Sequence, residues 1–285
     1  MSPRRPIVRY HGGKWKIAPW IISHLPAHRI YVEPFGGGAS VLLRKPRSYA
    51  EVYNDLDGEI VNVFRMVRDR GDELQYAIRL TPFSREEFAA SYEPTNNPLE
   101  QARRTILRSF MGFSSAAACG DKSSFRANSN RAGTTPAHDW ANYADHFDGL
   151  IERLRGVVIE QRDGMAVMRH QDGQQTLHYV DPPYVHATRS LKVRHTDSRK
   201  SYKHEMSNQQ HVELAEGLRN LSGMVVLSGY PSELYDRLFA DWHRVDRTSY
   251  ADGARERTEC LWFNAAAWQA SSVSGLIADQ QAVAA

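Results

Sequence analysis

A carboxylate, two prolines and an aromatic ring follow one another at the end of an apolar segment, in Tyr-Val-Asp-Pro-Pro-Tyr over residues 179–184. Asp181 can accept a hydrogen bond from an exocyclic amino group, and Tyr184 offers a ring face for stacking. Pro182 and Pro183 carry no N–H, so nearby carbonyls can accept without a competing donor. This order favours methylation at the amino nitrogen of a flat ring, while a strand that ends in a proline turn would explain it about equally well.

A glycine-rich loop upstream has the features of a cofactor site. The sequence Glu-Pro-Phe-Gly-Gly-Gly over residues 33–38 follows an apolar segment, and its glycines let a ligand approach the backbone closely. The spacing departs from G-x-G-x-x-G, and the chain has no P-loop motif ending in Gly-Lys-Ser/Thr. Because Glu33 is anionic, the loop suits a cation better than a pyrophosphate.

An acidic residue about twenty positions after this loop is a candidate ligand for ribose hydroxyls. Asp55 follows the second apolar segment, Glu51–Tyr53, where α/β folds place such a residue. The alternative is that Asp55 caps the helix that follows.

Three blocks in a fixed order make the chain similar to a known family. They are Tyr-His-Gly-Gly-Lys at 10–14, Glu-Pro-Phe-Gly-Gly-Gly at 33–38 and Asp-Pro-Pro-Tyr at 181–184, and a looser fourth match runs from Arg257-Thr-Glu259 into residues 260–264. The chain thus resembles the DNA adenine-N6 methyltransferases of the DNA adenine methylase (D12 class) group over residues 7–264. Any one block could arise by chance, whereas the ordered set is specific.

The resemblance implies that S-adenosylmethionine is the methyl donor and that adenine N6 in double-stranded DNA is the acceptor, reached by rotating the base out of the stack. By the same analogy Asp181, Pro182, Pro183 and Tyr184 form the catalytic tetrad, with no metal ion required. The positions expected to bind the cofactor are Tyr10, Lys14, Glu33, Pro34, Phe35, Gly36, Gly38, Asp55, Asp163, Gly164 and Asp181. An ordinary turn acid before a glycine explains Asp163 equally well.

Other interpretations of the same residues stay open. An RNA adenine-N6 methyltransferase or a non-catalytic DNA-binding relative would carry similar blocks. The enzymes that methylate protein glutamine resemble an Asn-Pro-Pro-Tyr pattern, and Asp181 does not match its first residue. A nucleotide-dependent oxidoreductase would explain the glycine loop and leave the tetrad unexplained. None of these patterns encodes the recognition sequence or the biological role, whether restriction partner, phage protection or regulation.

Alternating strand and helix patterns must position these loops. Seven apolar segments predict strands, at 30–32, 51–53, 157–159, 177–180, 224–228, 243–248 and 260–263. Between them, the spacing of Ile60, Val63 and Val67 predicts a helix, and Ser207 with Gln210 is typical of a capped helix start. The alternation predicts an α/β fold with a doubly wound, Rossmann-like and mostly parallel sheet, as expected for a methyltransferase that uses S-adenosylmethionine.

The elements group into a catalytic domain, an insertion and a tail. We expect a catalytic domain over residues 1–68 and 150–264, an inserted DNA target-recognition region over 69–149 and a flexible tail over 265–285. Within the insertion, Trp140, Tyr143 and Phe147 fall at helical spacing, which favours core positions over binding positions. The tail is rich in Ala, Ser and Gln and has little periodicity, which indicates flexibility.

Two stretches are predicted to bind DNA. Residues 112–138 form an irregular insertion with Lys122, Arg126, Asn128 and Arg131, which are side chains that pair with bases or phosphates. Residues 186–204, directly after the tetrad, hold six Lys or Arg against one Asp. The predicted contacts from that segment and from the N-terminal arm are Arg9, Arg189, Lys192, Arg194, Arg199, Lys200 and Lys203. An ordinary solvated segment is the alternative for each.

Composition limits the class of protein. The chain has 285 residues, 41% of them hydrophobic and 24% charged, which fits one large α/β domain with an insertion. The net charge of +3 gives weak support for a polyanionic partner, and two cysteines without C-x-x-C spacing favour neither a disulfide framework nor a zinc site. Since no signal-peptide pattern and no long apolar run occurs, we expect a cytoplasmic protein without membrane attachment. A monomer or weak dimer is expected, with a cognate restriction endonuclease as a candidate partner.

Overall fold

The computed structural model describes residues 3–113, 122–128, 133–185, 188, 203–251 and 255–271. Within these residues seven strands form a single sheet. They are β1 (Ile30–Glu33), β2 (Ala50–Asn54), β3 (Val157–Glu160), β4 (Thr176–Val180), β5 (Met224–Gly229), β6 (His243–Ala251) and β7 (Arg255–Phe263). Their order across the sheet is β3-β2-β1-β4-β5-β7-β6. All the predicted strands are confirmed.

The sheet combines a parallel part with an antiparallel hairpin. β1 pairs in parallel with β2 and β4, β2 with β3, and β4 with β5. β7 runs antiparallel to both β5 and β6, in a register that sets Gly229 opposite Cys260. The prediction of a mostly parallel, doubly wound sheet is therefore confirmed. The direction of the last two strands is a finding of the structure, because an apolar segment predicts a strand without predicting its direction.

Helices connect the strands. They are α1 (Ala18–Ser23), α2 (Ser40–Arg44), α3 (Gly58–Asp69), α4 (Gly71–Leu80), α5 (Arg85–Ala90), α6 (Pro98–Met111), α7 (Pro136–Ala141), α8 (Phe147–Leu154), α9 (Gly164–His170), α10 (Asn208–Arg219) and α11 (Glu233–Leu238), with a 3-10 turn over Ala144–His146. The central strand β4 is buried along its whole length, as expected of a parallel strand covered on both faces. In the described part of the chain, no helix has both the length and the apolar character needed to cross a membrane.

Single side chains fix where the helices begin. At α10, Ser207 and Gln210 form the reciprocal capping box that the sequence predicts. At α3, Asp57 accepts a hydrogen bond from the Glu59 N–H and is the cap. The alternative interpretation of Asp55 as the cap of this helix is therefore wrong, which leaves its carboxylate for another purpose.

The predicted insertion is largely helical and shares the core of the sheet. The rings of Phe110, Trp140, Tyr143 and Phe147 contact one another in a chain. All four are buried in the same apolar cluster as Tyr31 of β1. The prediction that Trp140, Tyr143 and Phe147 are core residues is confirmed, and one hydrophobic core joins the insertion to the sheet.

Residues 265–271 form a helix, so the predicted flexible tail is wrong for this part of the chain. Asn264 accepts a hydrogen bond from the Ala267 N–H at 2.9 Å, which starts the helix. The Trp268 ring stacks on His243 at a centroid distance of 4.1 Å and contacts Phe263. One cap and one stacked aromatic contact thus dock a segment whose composition alone indicates disorder. Residues 272–285 lie outside the described part.

The order of the strands reverses between β1 and β4. From β1 the chain continues to β2 on one side, and from β4 it continues to β5 on the other. Such a reversal opens a crevice at the carboxyl ends of the two strands. Glu33 ends β1 and Asp181 directly follows β4, so both predicted acids lie at this crevice.

Candidate active site

Two cavities lie side by side at the carboxyl ends of the parallel strands. The first cavity, of about 240 Å³, is lined by the ends of β1, β2 and β4, the N-terminal loop 10–14 and residues 203–206. The second cavity, of about 450 Å³, is lined by the same N-terminal loop, Tyr230 and residues of β7. Lys14 lines both cavities and therefore lies at their boundary.

The glycine loop forms one wall of the first cavity and is held by the end of β2. Tyr53 donates a hydrogen bond to the Gly37 carbonyl at 2.9 Å, and the Gly36 N–H donates to the Asn54 carbonyl at 2.7 Å. Gly37 has a φ of 47°, in the left-handed region that favours glycine. A Cβ at Gly36 would lie 2.2 Å from a ring carbon of Tyr53. Only glycine fits here, and these contacts fix the wall of the cavity.

The N-terminal loop closes the first cavity from the opposite side. The Tyr10 ring packs so closely on the glycine loop that a Cβ at Gly37 would lie 2.8 Å from it. The Gly13 N–H donates to the Tyr10 carbonyl at 3.1 Å, and Gly12 has a φ of 72°. This turn directs Lys14 inward, where its ammonium donates to the Gly12 carbonyl at 2.8 Å. The predicted pair Tyr10 and Lys14 thus lies on the cavity lining.

Glu33 is buried in the lining of the first cavity. Its carboxylate accepts hydrogen bonds from the Tyr31 hydroxyl and the Leu42 N–H, each at 3.0 Å. Burial raises the pKa of Glu33 to about 8, because these two bonds only partly offset the loss of solvation. A cation bound in the cavity would favour the ionised carboxylate, so this site suits a positively charged ligand.

Asp55 lines the first cavity and retains capacity to accept hydrogen bonds. Its two oxygens accept from the N–H groups of Gly37 and Asp57, each at 2.8 Å. Each carboxylate oxygen has further lone-pair capacity, so hydroxyl groups of a ligand can still donate to it. This geometry is compatible with the predicted contact to a ribose.

Lys203 lies on the first cavity, although the sequence predicts a DNA contact for it. Its ammonium is 3.0 Å from Asp57 Oδ1 and 3.7 Å from Glu59 Oε1. Asp57 is 2% exposed, and a buried carboxylate of this kind holds a neighbouring cation strongly. The Lys203 charge is therefore paired with the start of α3, while its side chain stays 40% exposed, and a contact with DNA remains a prediction.

Pro34, Asp163 and Gly164, which are predicted to bind the cofactor, are not among the described residues that line the first cavity. Asp163 is exposed and caps α9 by accepting from the Ala166 N–H at 2.9 Å. Gly164 packs against the Phe35 ring, which a Cβ would approach to 3.0 Å. Since Phe35 does line the cavity, Gly164 supports the cavity through that ring. The sequence analysis left open that Asp163 is an ordinary turn acid, and the structure shows it as a helix cap.

Asp181 lines the first cavity and is bound by Lys14. The Lys14 ammonium lies 2.9 Å from Asp181 Oδ2, and the Asp181 side chain is 17% exposed. Oδ1 is buried and has no hydrogen-bond partner among the described residues. Burial raises the pKa of Asp181, while the Lys14 charge acts in the opposite direction. Since Oδ1 is buried, Oδ2 is the oxygen that a ligand can reach.

Tyr184 is buried between Asp181 and β7, with an exposed fraction of 6%. The Lys14 ammonium lies 4.6 Å from the centroid of its ring. The Tyr230 ring meets the Tyr184 ring edge to face at a centroid distance of 4.6 Å. The Tyr184 hydroxyl donates a hydrogen bond to Glu259 Oε2 at 3.4 Å. Tyr184 thus contacts two side chains that line the second cavity, Tyr230 and Glu259.

Three side chains of the second cavity were not predicted as site residues, namely Tyr230, Arg257 and Glu259. Arg257 donates to the Tyr230 hydroxyl at 3.1 Å, and Glu259 is 8% exposed. Burial raises the pKa of Glu259, and the Lys14 charge opposes that shift. The signal available in the sequence was the looser fourth match, which begins at Arg257-Thr-Glu259. It indicated a strand and no site role, because only the antiparallel direction of β7 brings Glu259 to the edge where the parallel strands end.

The other residues predicted to contact DNA lie at separate places. Arg9 lines the second cavity and pairs with Asp139 at 3.3 Å. Lys122 and Asn128 are exposed and Arg126 is half-buried, all on the segment 122–128 of the insertion. Arg131, Arg189, Lys192, Arg194, Arg199 and Lys200 lie outside the described residues.

The arrangement can hold two ligands on the two sides of the Lys14–Asp181 ion pair. A ligand in the first cavity meets glycine-loop backbone, the Phe35 ring and the buried Glu33 carboxylate. A ligand in the second cavity meets an aromatic ring, an acid and basic side chains. Such a geometry is suited to transfer of a group between two bound molecules.

Comparison with known proteins gives an independent indication of the chemistry. The sequence profile of the D12 class N6 adenine-specific DNA methyltransferases matches residues 10–250. The Type II methyltransferase M1.LlaDCHI of Lactococcus lactis subsp. cremoris is 25% identical over 86% of this chain and 88% of its own length. The DNA adenine methylase of Escherichia coli (strain K12) is 25% identical over 90% of this chain and 93% of its own length. The DNA adenine methylase of Serratia marcescens is 30% identical over 38% of this chain and 41% of its own length.

Proposed function

The chain belongs to the D12 class N6 adenine-specific DNA methyltransferases, and from that premise we propose how it methylates adenine in DNA. We propose that the methyl group passes from S-adenosylmethionine to N6 of an adenine in double-stranded DNA, at a specific short sequence. The target base would leave the duplex, since its amino group is out of reach inside the stack. The first cavity would bind the methyl donor and the second cavity the extruded base.

The observation that carries this proposal is the position of Asp181 where the two cavities adjoin. Asp181 lines the first cavity, and its Lys14 partner lines both. Group transfer needs donor and acceptor aligned at near-attack distance, which accounts for a large part of the rate enhancement of an enzyme. Two adjoining cavities with one carboxylate at their boundary meet that need.

The residues of the first cavity fit a nucleoside that carries a positive charge. The glycine loop lets the ligand approach the backbone, Phe35 offers a ring to a flat base, and Asp55 can accept from ribose hydroxyls. Glu33 and Asp181 would stabilise the charge. When bound, S-adenosylmethionine supplies a methyl group activated by its sulfonium sulfur.

The residues of the tetrad would make the adenine amino group nucleophilic. The lone pair of that nitrogen is delocalised into the ring, so acceptors in the ring plane must draw on its protons. Asp181 Oδ2 and the Pro182 carbonyl would accept these two hydrogen bonds, and Tyr184 would hold the ring by stacking. The amine loses one proton when its new N–C bond forms. Asp181 is placed to accept it, because burial raises the pKa of this carboxyl group.

Recognition of the DNA sequence would fall to the insertion over residues 69–149. Arg126 and Asn128 have side chains that pair with purine edges, and Lys122 suits a phosphate. The basic stretch 186–204 would add sequence-independent contacts to the backbone. The similarity to a Type II methyltransferase supports a restriction-modification role, with a cognate endonuclease as partner, and the bacterial relatives support a cytoplasmic location.

The test is to incubate the protein with unmethylated plasmid and S-adenosylmethionine and to map modified bases by single-molecule sequencing. The proposal predicts N6-methyladenine at one short motif with the wild-type protein, and loss of that signal with Asp181→Ala. Modified cytosine would overturn the adenine assignment. The absence of any modified base, with protein that is folded and binds the cofactor, would overturn the function.

A further inference from the structure

Lys14 holds the two positions that the target base needs. Its ammonium lies 2.9 Å from Asp181 Oδ2 and 4.6 Å from the centroid of the Tyr184 ring. Under the proposed function, that oxygen receives the adenine amino group and that ring receives the adenine ring. A base stacked on Tyr184 would have its ring centroid about 4.5 Å or more away, where the ammonium now lies. The base and the ammonium therefore compete for one place.

The other oxygen of Asp181 does not remove this competition. Oδ1 is buried and lacks a hydrogen-bond partner among the described residues, so neither cavity gives a ligand access to it. Oδ2 already accepts from a charged donor, which is a stronger interaction than a hydrogen bond from a neutral amine. The base can use Asp181 fully only after Lys14 has moved.

Glu259 has the properties needed to receive the Lys14 ammonium. It lies on the second cavity together with Lys14, and its carboxylate is 8% exposed. Among the charges that act on the Glu259 pKa, Lys14 has the largest effect. Arg257, another cation on this cavity, donates to the Tyr230 hydroxyl at 3.1 Å.

We propose that Glu259 is a positioning residue for methyl transfer, which takes the Lys14 ammonium when the target base enters and so releases Asp181 Oδ2 and the Tyr184 ring. The inference rests on the proposed function and adds an event to base entry. In both states the ammonium has a carboxylate partner, so the buried cation is never left unpaired. Before the base arrives, Lys14 neutralises Asp181. When the base enters, Glu259 allows the Lys14 ammonium to leave Asp181.

The experiment is a double-mutant cycle with the full-length enzyme and a duplex that carries its mapped motif. Glu259→Gln keeps the size of the side chain and removes its charge. We expect kcat/KM for DNA to fall about tenfold or more, because Lys14 then stays on Asp181, while the Kd for S-adenosylmethionine stays within about twofold. In a Lys14→Met background the same change should cost less than about twofold, since no ammonium has to be received.

Two further variants separate this role from a structural one. Glu259→Asp retains a carboxylate and should recover part of the lost kcat/KM; if Glu259→Gln does not fold, the same cycle is run with Glu259→Asp. Asp246→Asn is the matched control, because it removes a carboxylate from the same hairpin, opposite Cys260, where Asp246 pairs with Arg244 at 2.6 Å. Its kcat/KM should equal that of the wild type.

The inference is overturned if Glu259→Gln retains kcat/KM within about twofold of the wild type, or if its loss is equally large in the Lys14→Met background. A wild-type enzyme that methylates no adenine refutes the proposed function instead, so the two failures are distinguishable.

Discussion

The two cavities on either side of Lys14 are built in different ways. The wall of the first is backbone and loop: the glycine loop follows β1, Asp55 follows β2 and the tetrad follows β4. The second is lined on one side by the N-terminal segment 6–17 and on the other by single side chains, with Tyr230 after β5 and Glu259 on the antiparallel strand β7. The first is a product of motifs that follow parallel strands, whereas the second is complete only once β7 has paired.

This difference predicts how each cavity responds to change. Backbone bonds and close glycine contacts hold the first cavity in one shape, so a ligand enters a preformed site. Rotatable side chains line the second cavity, among them Tyr230, Arg257 and Lys14, so a ligand can displace them. A rigid site for the donor and an adaptable site for an extruded base suit their two tasks.

The largest effect should come from the residue at the boundary of the two cavities. Asp181→Ala should lower kcat about 10²-fold or more, because it removes the acceptor aligned with the amino group. DNA binding, measured by fluorescence anisotropy, should be largely unchanged. If turnover of the variant stays within about tenfold of the wild type, methyl transfer does not need the Asp181 carboxylate.

A change in the rigid cavity should impair donor binding alone. In Gly36→Ala the added Cβ would meet the Tyr53 ring at 2.2 Å, an overpacking that costs about 1–3 kcal/mol. We expect the Kd for S-adenosylmethionine, measured by calorimetry, to rise about tenfold or more as the loop shifts. The matched control is Gly173→Ala, where a Cβ would find only Thr176 Oγ1, at 3.8 Å. Equal affinities in the two variants would contradict a preformed site.

A change in the adaptable second cavity should weaken the interaction with DNA and leave donor binding unchanged. Arg257→Ala removes a positive charge and the hydrogen bond to the Tyr230 hydroxyl. We expect KM for DNA to rise about fivefold, on the order of 1 kcal/mol, with the Kd for S-adenosylmethionine unchanged. Arg237→Ala, which removes an exposed arginine from α11, should change neither value. Weaker donor binding in Arg257→Ala would break the distinction between the cavities.

The smallest effect should be a pH dependence that originates in the rigid cavity. Burial raises the pKa of Glu33 to about 8 from an ordinary value of 4.5, so between these values the folded protein binds a proton that the unfolded chain has lost. The stability from this group is fully present below pH 4.5 and is lost as the pH rises toward 8.

Glu33→Gln should flatten this dependence, because glutamine keeps an oxygen for the Tyr31 hydroxyl and the Leu42 N–H and does not ionise. Between pH 5 and 8.5, the Tm of the cofactor-free wild type should fall more than that of the variant, by a few degrees, measured by calorimetry. Parallel curves for the two proteins would mean that Glu33 is not buried as described.

The part of the site built on parallel strands could be predicted from the sequence. Glu33, Asp55 and Asp181 each end or follow an apolar segment, and the carboxyl ends of parallel strands meet at one edge of a sheet. Asp163 lies in the same sequence context yet is exposed and caps a helix, and it does not line the first cavity. Sequence position thus predicts the edge of the sheet and not the direction of each side chain.

The remaining features depend on pairing that no local pattern encodes. Glu259 reaches the site only because β7 is antiparallel, and Lys203 lies on the first cavity beside a carboxylate far from it in sequence, Asp57. The helix over 265–271 depends on the contact between Trp268 and His243. These are long-range side-chain contacts, which periodicity and composition do not contain.

The most direct test of the two-cavity account is a crystal structure of the protein with S-adenosylhomocysteine and a duplex that carries its recognition motif. The account predicts the sulfur in the first cavity, the target adenine against Tyr184 in the second, and Asp181 within hydrogen-bond distance of adenine N6. An adenine that remains stacked in the duplex, or that shares the first cavity with the cofactor product, would contradict it.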